Sequence, residues 1–314
     1  MMVNNVYEVV GLTKVYENKK VANEEISFSV AQGEVVGVLG PNGAGKSTLI
    51  KQMVGHVSPT AGEIRLFGVD VVKRADLIPQ YVGYYAQRPA ALDALTGYEA
   101  IYCTGRLRGM SRAAAKRETD RLIEQLDLGE VRKREIRKMS GGQQRMVGFA
   151  TVLIGELPVL ILDEPTNELD PERRRQLWDL LAEKNRREGT TILLVTHNVL
   201  EAEQVVDKVA VIDHGKLLAY DTVRKLKQQV DSRLRLELTV QSHAGDRLAD
   251  MLASYGTIDR PAEQKLRLFM EKDRAGEALQ TVLSQAGEAC EEYRLVPPSL
   301  EDVYFTLGGK EGSI

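Results

Sequence analysis

Gly40-Pro41-Asn42-Gly43-Ala44-Gly45-Lys46-Ser47-Thr48 has the spacing G-x-x-x-x-G-K-[ST]. Glycines let successive backbone N–H groups curl round an anion without Cβ clashes. Lys46 is placed to reach the β- and γ-phosphates of a nucleotide, and the Ser47 hydroxyl to take one position on Mg²⁺. A second anion cradle stands at Ser140-Gly141-Gly142-Gln143, a hydroxyl and bare N–H groups opening a helix. Two carboxylates, Asp163 and Glu164, follow the aliphatic run Val159 to Leu162. Asp163 suits Mg²⁺, directly or through water, and Glu164 suits a general base that polarises a water for in-line attack on the γ-phosphate. Three further side chains sit where a ligand can be met. Gln87 ends a strand, where its amide can hold Mg²⁺ or the attacking water. His197 follows Thr191–Thr196 and can contact a γ-phosphate. Tyr16, upstream of the loop, either packs in a strand or stacks on a base.

These residues need elements to hold them. Val35 to Leu39 reads as a buried parallel strand and Leu49, Ile50 and Met53 as one face of the helix after the loop. Val159–Leu162 and Thr191–Val195 are further buried strands, and His197 then lies on the edge where α/β sheets bind ligands. Residues 3–34 alternate like half-buried strands. Thr96 with Glu99, and Ser111, cap two polar helices, so that about 93–150 forms a helical insertion. Asp170 N-caps another helix with Pro171 at its first position, and Leu177, Trp178, Leu180 and Leu181 give that helix its core face. The expected fold is α/β over 1–220, with a separate small α+β domain over 221–314. That domain reads as a split β-α-β, ferredoxin-like arrangement: strands at 234–240, 265–270 and 290–296, helices at 246–254 and 274–286.

The whole chain excludes several classes. Its 314 residues are 43% hydrophobic and 28% charged, with net charge −3. No basic bias marks a nucleic-acid binder. Arg132-Lys133-Arg134 and Arg173-Arg174-Arg175 read as solvated helix faces. The apolar runs are too short to span a bilayer, and the N-terminus lacks a signal core. Cys103 and Cys290 lack metal or redox spacing, which suits a reducing cytosol.

Taken in order, the motifs resemble the ATP-binding subunits of ABC transporters over roughly residues 3–220. Gly40–Thr48 is similar to the Walker A loop, Gln87 to the Q-loop glutamine and Met139-Ser140-Gly141-Gly142-Gln143 to the family signature. Val159–Glu164 is similar to Walker B plus the catalytic glutamate. Asn167–Asp170 sits at the D-loop, His197 at the H-loop and Tyr16 at the aromatic that stacks on adenine. Two departures are Met139 for the usual Leu and Glu168 for the usual Gly.

The resemblance implies a P-loop NTPase core with an antiparallel β subdomain and a helical signature subdomain. It implies ATP and Mg²⁺ as cofactors, and two cassettes stacked head to tail as a homodimer or with a paired ABC subunit. Each ATP then lies between one chain's Walker A and the other's Ser140-Gly141-Gly142, so ATP joins the dimer and hydrolysis through Glu164 releases it. An integral membrane permease, as a separate chain or chains, is the implied partner; its coupling helix would enter a groove near Gln87 to Glu99, holding this chain in the cytoplasm on the inner face of the cell membrane. The tail from Pro297 to Phe305 is similar to that of export ATPases. The competing readings are an ABC ATPase acting on ribosomes or DNA, which usually has tandem cassettes or basic surfaces, and a nucleotide-gated scaffold, against which Glu164 speaks.

Overall fold

The computed structural model describes residues 5–308, apart from 87–91, 168, 231–232, 242–243 and 287–288. Gln87, Glu168 and the groove segment 87–91 therefore lie outside the described residues. Contacts divide the chain into two compact units, Met1–Val223 and Arg224–Ile314.

In the first unit, β1 (Asn5–Val15) and β2 (Val21–Ala31) form an antiparallel ribbon, and β3 (Val35–Leu39) leads through the glycine loop into α1 (Lys46–Met53). After β4 (Ala61–Leu66), β5 (Val69–Asp70) and α2 (Ile78–Tyr81) comes β6 (Val82–Tyr85). The helical insertion follows as α3 (Gly97–Leu107), α4 (Arg112–Gln125) and α5 (Gly141–Leu153). Then come β7 (Val159–Asp163), α6 (Pro171–Glu188), β8 (Thr191–Thr196), α7 (Val199–Val205) and the hairpin β9 (Lys208–Asp213) and β10 (Lys216–Thr222).

The order β2-β1-β4-β5 makes an antiparallel sheet, and β10-β9-β3-β8-β7-β6 a second sheet. The second is parallel except at β10. Its inner strands are apolar on both faces because both faces are covered. Against it α1 buries Leu49, Ile50 and Met53 among Val36, Val38, Ile161 and Val195. Because β3, β8 and β7 are neighbours, with Leu39 opposite Thr196 and Val195 opposite Asp163, their following loops converge on one edge. Helix α5 is tied to this frame by Phe149, whose ring stacks on Tyr85 at 4.0 Å and 9°.

The helix starts are specified locally. Thr96 and Glu99 bond reciprocally as a capping box, Ser111 accepts from the Ala114 N–H, and Asp170 accepts from the Arg173 N–H at 2.9 Å ahead of Pro171. Two expectations fail here. Arg132-Lys133-Arg134 lies in turns rather than on a helix: Arg132 stacks over the Tyr98 ring at 4.5 Å and pairs with Asp120 at 2.6 Å. On α6, Trp178 is only half-buried, and the buried Lys184, paired with Glu188 at 2.8 Å, joins Leu177, Leu180 and Leu181 instead. Its aliphatic stem covers apolar surface while the ammonium reaches the rim.

The second unit takes in α8 (Val223–Val230, beginning at the division), β11 (Leu234–Val240), α9 (Gly245–Leu252), β12 (Thr257–Ala262), β13 (Lys265–Met270), α10 (Ala275–Thr281), β14 (Cys290–Val296) and α11 (Leu300–Gly308). Its sheet is antiparallel, of order β12-β13-β11-β14, and the chain order from β11 to β14 is β-α-β-β-α-β. One sheet face, with Leu236, Leu238, Leu266 and Leu268, packs on Leu248, Leu252 and Ala278 of the helices. Strand β12 has no counterpart in the sequence reading. It is an exposed edge containing Pro261, which an edge tolerates and a central strand does not.

Candidate functional site

The loop after β3 is forced into shape by what crowds it. Gly40 and Gly45 have φ of 153° and 102°. A Cβ at Gly40 would lie 2.0 Å from the Ile212 carbonyl oxygen, and one at Gly45 2.1 Å from that of Ala22. Only glycine fits either place. The ammonium of Lys46, the first residue of α1, donates to the carbonyls of Gly40 and Pro41 at 2.7 and 2.9 Å. The cleft so formed, of about 250 Å³, is lined by Tyr16, Lys20, Ala22, Asn42, Gly43, Ala44, Gly45, Lys46, Ser47, Thr48, Asp163 and Glu164. Tyr16 is partly exposed, its hydroxyl 3.5 Å from that of Thr48, with the Lys14 ammonium 5.4 Å from its ring centre.

Lys46, Asp163 and Glu164 are all buried. Burial lowers the Lys46 pKa, against the opposing pull of Glu164 and Asp163. Burial, and then the neighbouring Glu164 charge, raise the Asp163 pKa, while a hydrogen bond from the Ser47 hydroxyl and the Lys46 charge act the other way. Two buried carboxylates thus face one buried lysine, with the exposed Lys51 adding a further positive charge beside Asp163, and burial leaves the pair short of the charge compensation that a bound cation would supply. Ser47 and Asp163, already in contact, are the pair suited to holding it. Among the described residues no group of three His, Cys, Asp or Glu side chains gathers as a metal cage. Mg²⁺ is held by one or two protein oxygens and completes its shell with water and phosphate, and the Ser47 and Asp163 oxygens fit that donor set.

Glu164 is held from β8. Its backbone stands at φ 52°, unusual for a non-glycine residue, and its N–H donates to the Val195 carbonyl at 2.8 Å. One carboxylate oxygen accepts from the His197 N–H at 3.1 Å and lies 2.8 Å from His197 Nδ1; the other accepts from the Thr196 hydroxyl at 3.3 Å. With the carboxylate ionised, Nδ1 carries the proton of that contact. His197 follows the end of β8, as the sequence predicts, but neither its contact with Glu164 nor the Thr196 bond is legible there. The only signal for either was the adjacency of β7 and β8, which spacing does not reveal.

Ser140 opens α5, and its hydroxyl accepts from the Gln143 N–H at 3.3 Å while Gln143 Oε1 accepts from the Ser140 N–H at 3.1 Å. Met139 before it is buried. Ser140 and Gly141 are exposed, and among the described residues none of 140–143 lines the cleft at Lys46. The chain therefore brings Tyr16, the glycine loop, Asp163 and Glu164 to one cleft, sets His197 against Glu164, and leaves Ser140-Gly141-Gly142 outside it. Asp170 serves as the cap of α6.

The family model described as "ABC transporter" matches residues 23–167. The daunorubicin/doxorubicin resistance ATP-binding protein DrrA of Streptomyces peucetius is 36% identical over 307 residues, covering 96% of this chain and 92% of its own. Among solved structures, an ATP-binding subunit of an ABC transporter superposes with TM-score 0.67 at 28% identity, covering 71% of this chain and 92% of that one. A dimeric ATP-binding cassette in a post-hydrolysis state with ADP and Pi has TM-score 0.64 at 22% identity over 69% and 98%, a likeness of fold alone.

Proposed function

This chain belongs to the ATP-binding proteins of the ABC transporter family, and we propose that it works in pairs beneath a separate membrane permease, exporting a small molecule. It is an ATPase of that family. The observation that carries the pairing is the separation of the two anion cradles. The cleft at Lys46 offers phosphate ligands and a base, while the start of α5, where the capping box takes up the N–H groups of Ser140 and Gln143 and leaves Ser140 and Gly141 exposed, lies elsewhere on the same unit. A second copy, set head to tail, supplies the missing cradle to each cleft. Asp170, at the start of α6, belongs to the stretch facing that second copy.

In the cleft, Tyr16 stacks on the base, and the N–H groups of 40–48 with the Lys46 ammonium take the phosphates. Ser47 and Asp163 would hold Mg²⁺, with Gln87, which lies outside the described residues, as a further ligand; the ion would offset the charge of the β- and γ-phosphates. Glu164 accepts a proton from the water that attacks the γ-phosphorus as the bond to the β-phosphate oxygen breaks. Thr196 and His197 fix both oxygens of that base, and His197 also reaches towards the γ-phosphate.

A cytoplasmic place on the membrane's inner face follows from this partnership. No described helix is long and apolar enough to cross a membrane, which fits a permease made of other polypeptides. Export is read from the similarity to a drug-resistance ATP-binding protein along nearly all of both chains. Affinity purification from native membranes with ATP and Mg²⁺ tests the partnership. A multi-span membrane protein co-purifying supports it, and recovery of ribosomal or DNA-repair proteins instead would overturn it.

A further inference from the structure

Directly behind the glycine loop, two side-chain amides are wholly buried where apolar residues would serve packing. Asn23 lies on β2 and Gln52 on α1, both fully excluded from solvent. Gln52 Nε2 donates to Asn23 Oδ1 at 2.8 Å and to the Thr48 carbonyl at 3.2 Å. Asn23 Nδ2 donates to the Gly45 carbonyl at 3.2 Å. Gln52 Oε1 is buried and has no hydrogen-bond partner among the described residues. Burying two amides with one oxygen unsatisfied costs more than a pair of aliphatic side chains would. Stability alone does not account for the pair.

Its geometry accounts for it. The Gly45 carbonyl and the Lys46 N–H belong to one planar trans peptide and point in opposite directions. A donor fixed on the Gly45 oxygen therefore aims the Lys46 N–H away from β2, on the cradle side. The regular helical bond from the Leu49 N–H to the same oxygen, at 2.9 Å, follows the loop wherever it moves. The Asn23 bond differs because it comes from another element. Strand β2 is itself anchored, with the Glu24 N–H on the Gly215 carbonyl at 2.8 Å and the Gly215 N–H on the Ala44 carbonyl at 2.9 Å. Gln52, by donating to Asn23 Oδ1, leaves the Asn23 amide only one useful orientation, its NH₂ towards Gly45.

We infer that Asn23 and Gln52 are positioning residues for the phosphate loop, holding the Gly45–Lys46 peptide oriented for a nucleoside triphosphate and so setting ATP affinity. The inference rests on Gly40–Thr48 being the phosphate cradle, which Lys46→Ala tests separately by its effect on ATP binding.

The experiment compares wild type, Asn23→Leu and the double variant Asn23→Leu/Gln52→Met in full-length protein. It measures melting temperature, ATP affinity, and KM against kcat. Asn23→Leu should weaken ATP binding about fivefold to tenfold, as expected for one lost neutral hydrogen bond. KM should rise in step, with kcat at saturation little changed. The double variant, relieved of both amides, should melt at or above wild type and still bind ATP more weakly. It carries the test if the single variant, which strands Gln52, fails to fold. A stable double variant with wild-type affinity and KM would overturn the inference. If Lys46→Ala meanwhile loses ATP, the cradle stands and the amide pair alone is refuted.

Discussion

Asp163 and Glu164 are adjacent in sequence but are held differently, and the difference can be measured. Glu164 has both oxygens engaged from β8. Asp163 is raised above the usual carboxylate range by burial and by Glu164. A carboxyl whose pKa is raised on folding binds its proton more tightly in the native state. It favours folding at pH below the ordinary carboxylate value and opposes it once the pH has risen through the raised one. At neutral pH, without nucleotide or metal, Asp163 is thus a stability liability. Asp163→Asn should raise the melting temperature near pH 7, with the gain shrinking towards about pH 4, and should abolish turnover. A variant less stable than wild type at neutral pH would contradict this. That Lys46, Ser47 and Asp163 meet in one cleft was legible in the sequence, because a glycine-rich loop before a helix and a carboxylate ending an aliphatic strand are local patterns. The grip of Thr196 and His197 on Glu164 was not, since it joins residues over thirty positions apart through strand order.

At the scale of elements, helix starts and buried strands were the readable features. The caps at Thr96, Ser111, Ser140 and Asp170 all form as local chemistry requires. Elements shaped by tertiary context were less readable. The edge strand β12 alternates weakly and holds a proline, and Arg132 owes its place to Tyr98 and Asp120 rather than to a helix face. Ser140 has a structural use as the cap of α5 and a proposed one in the second cradle, and one substitution separates them. Ser140→Ala should cost about 1 kcal/mol at the start of α5, visible as a modest fall in denaturant midpoint. ATP binding by the isolated chain should be unaffected, because Ser140 lies outside the cleft. Steady-state hydrolysis should fall much further than a stability change of that size explains. Hydrolysis at the wild-type rate would remove the second cradle from the mechanism.

On the scale of the whole molecule, the division at Val223 and Arg224 separates a unit containing every residue of the cleft from a unit containing none. A chain ending at Val223 should therefore bind ATP with the affinity of the full chain in equilibrium titration; loss of binding in a folded truncation would mean that the second unit helps build the site. The central claim concerns two copies, each completing the other's site, and the mass of Glu164→Gln in solution tests it most directly. Losing the base should slow hydrolysis about a hundredfold or more while leaving the phosphate ligands in place. With ATP and Mg²⁺ the variant should run at the mass of a dimer, and with ADP at that of a monomer. A Glu164→Gln chain that binds ATP with Mg²⁺ and stays monomeric would contradict the account.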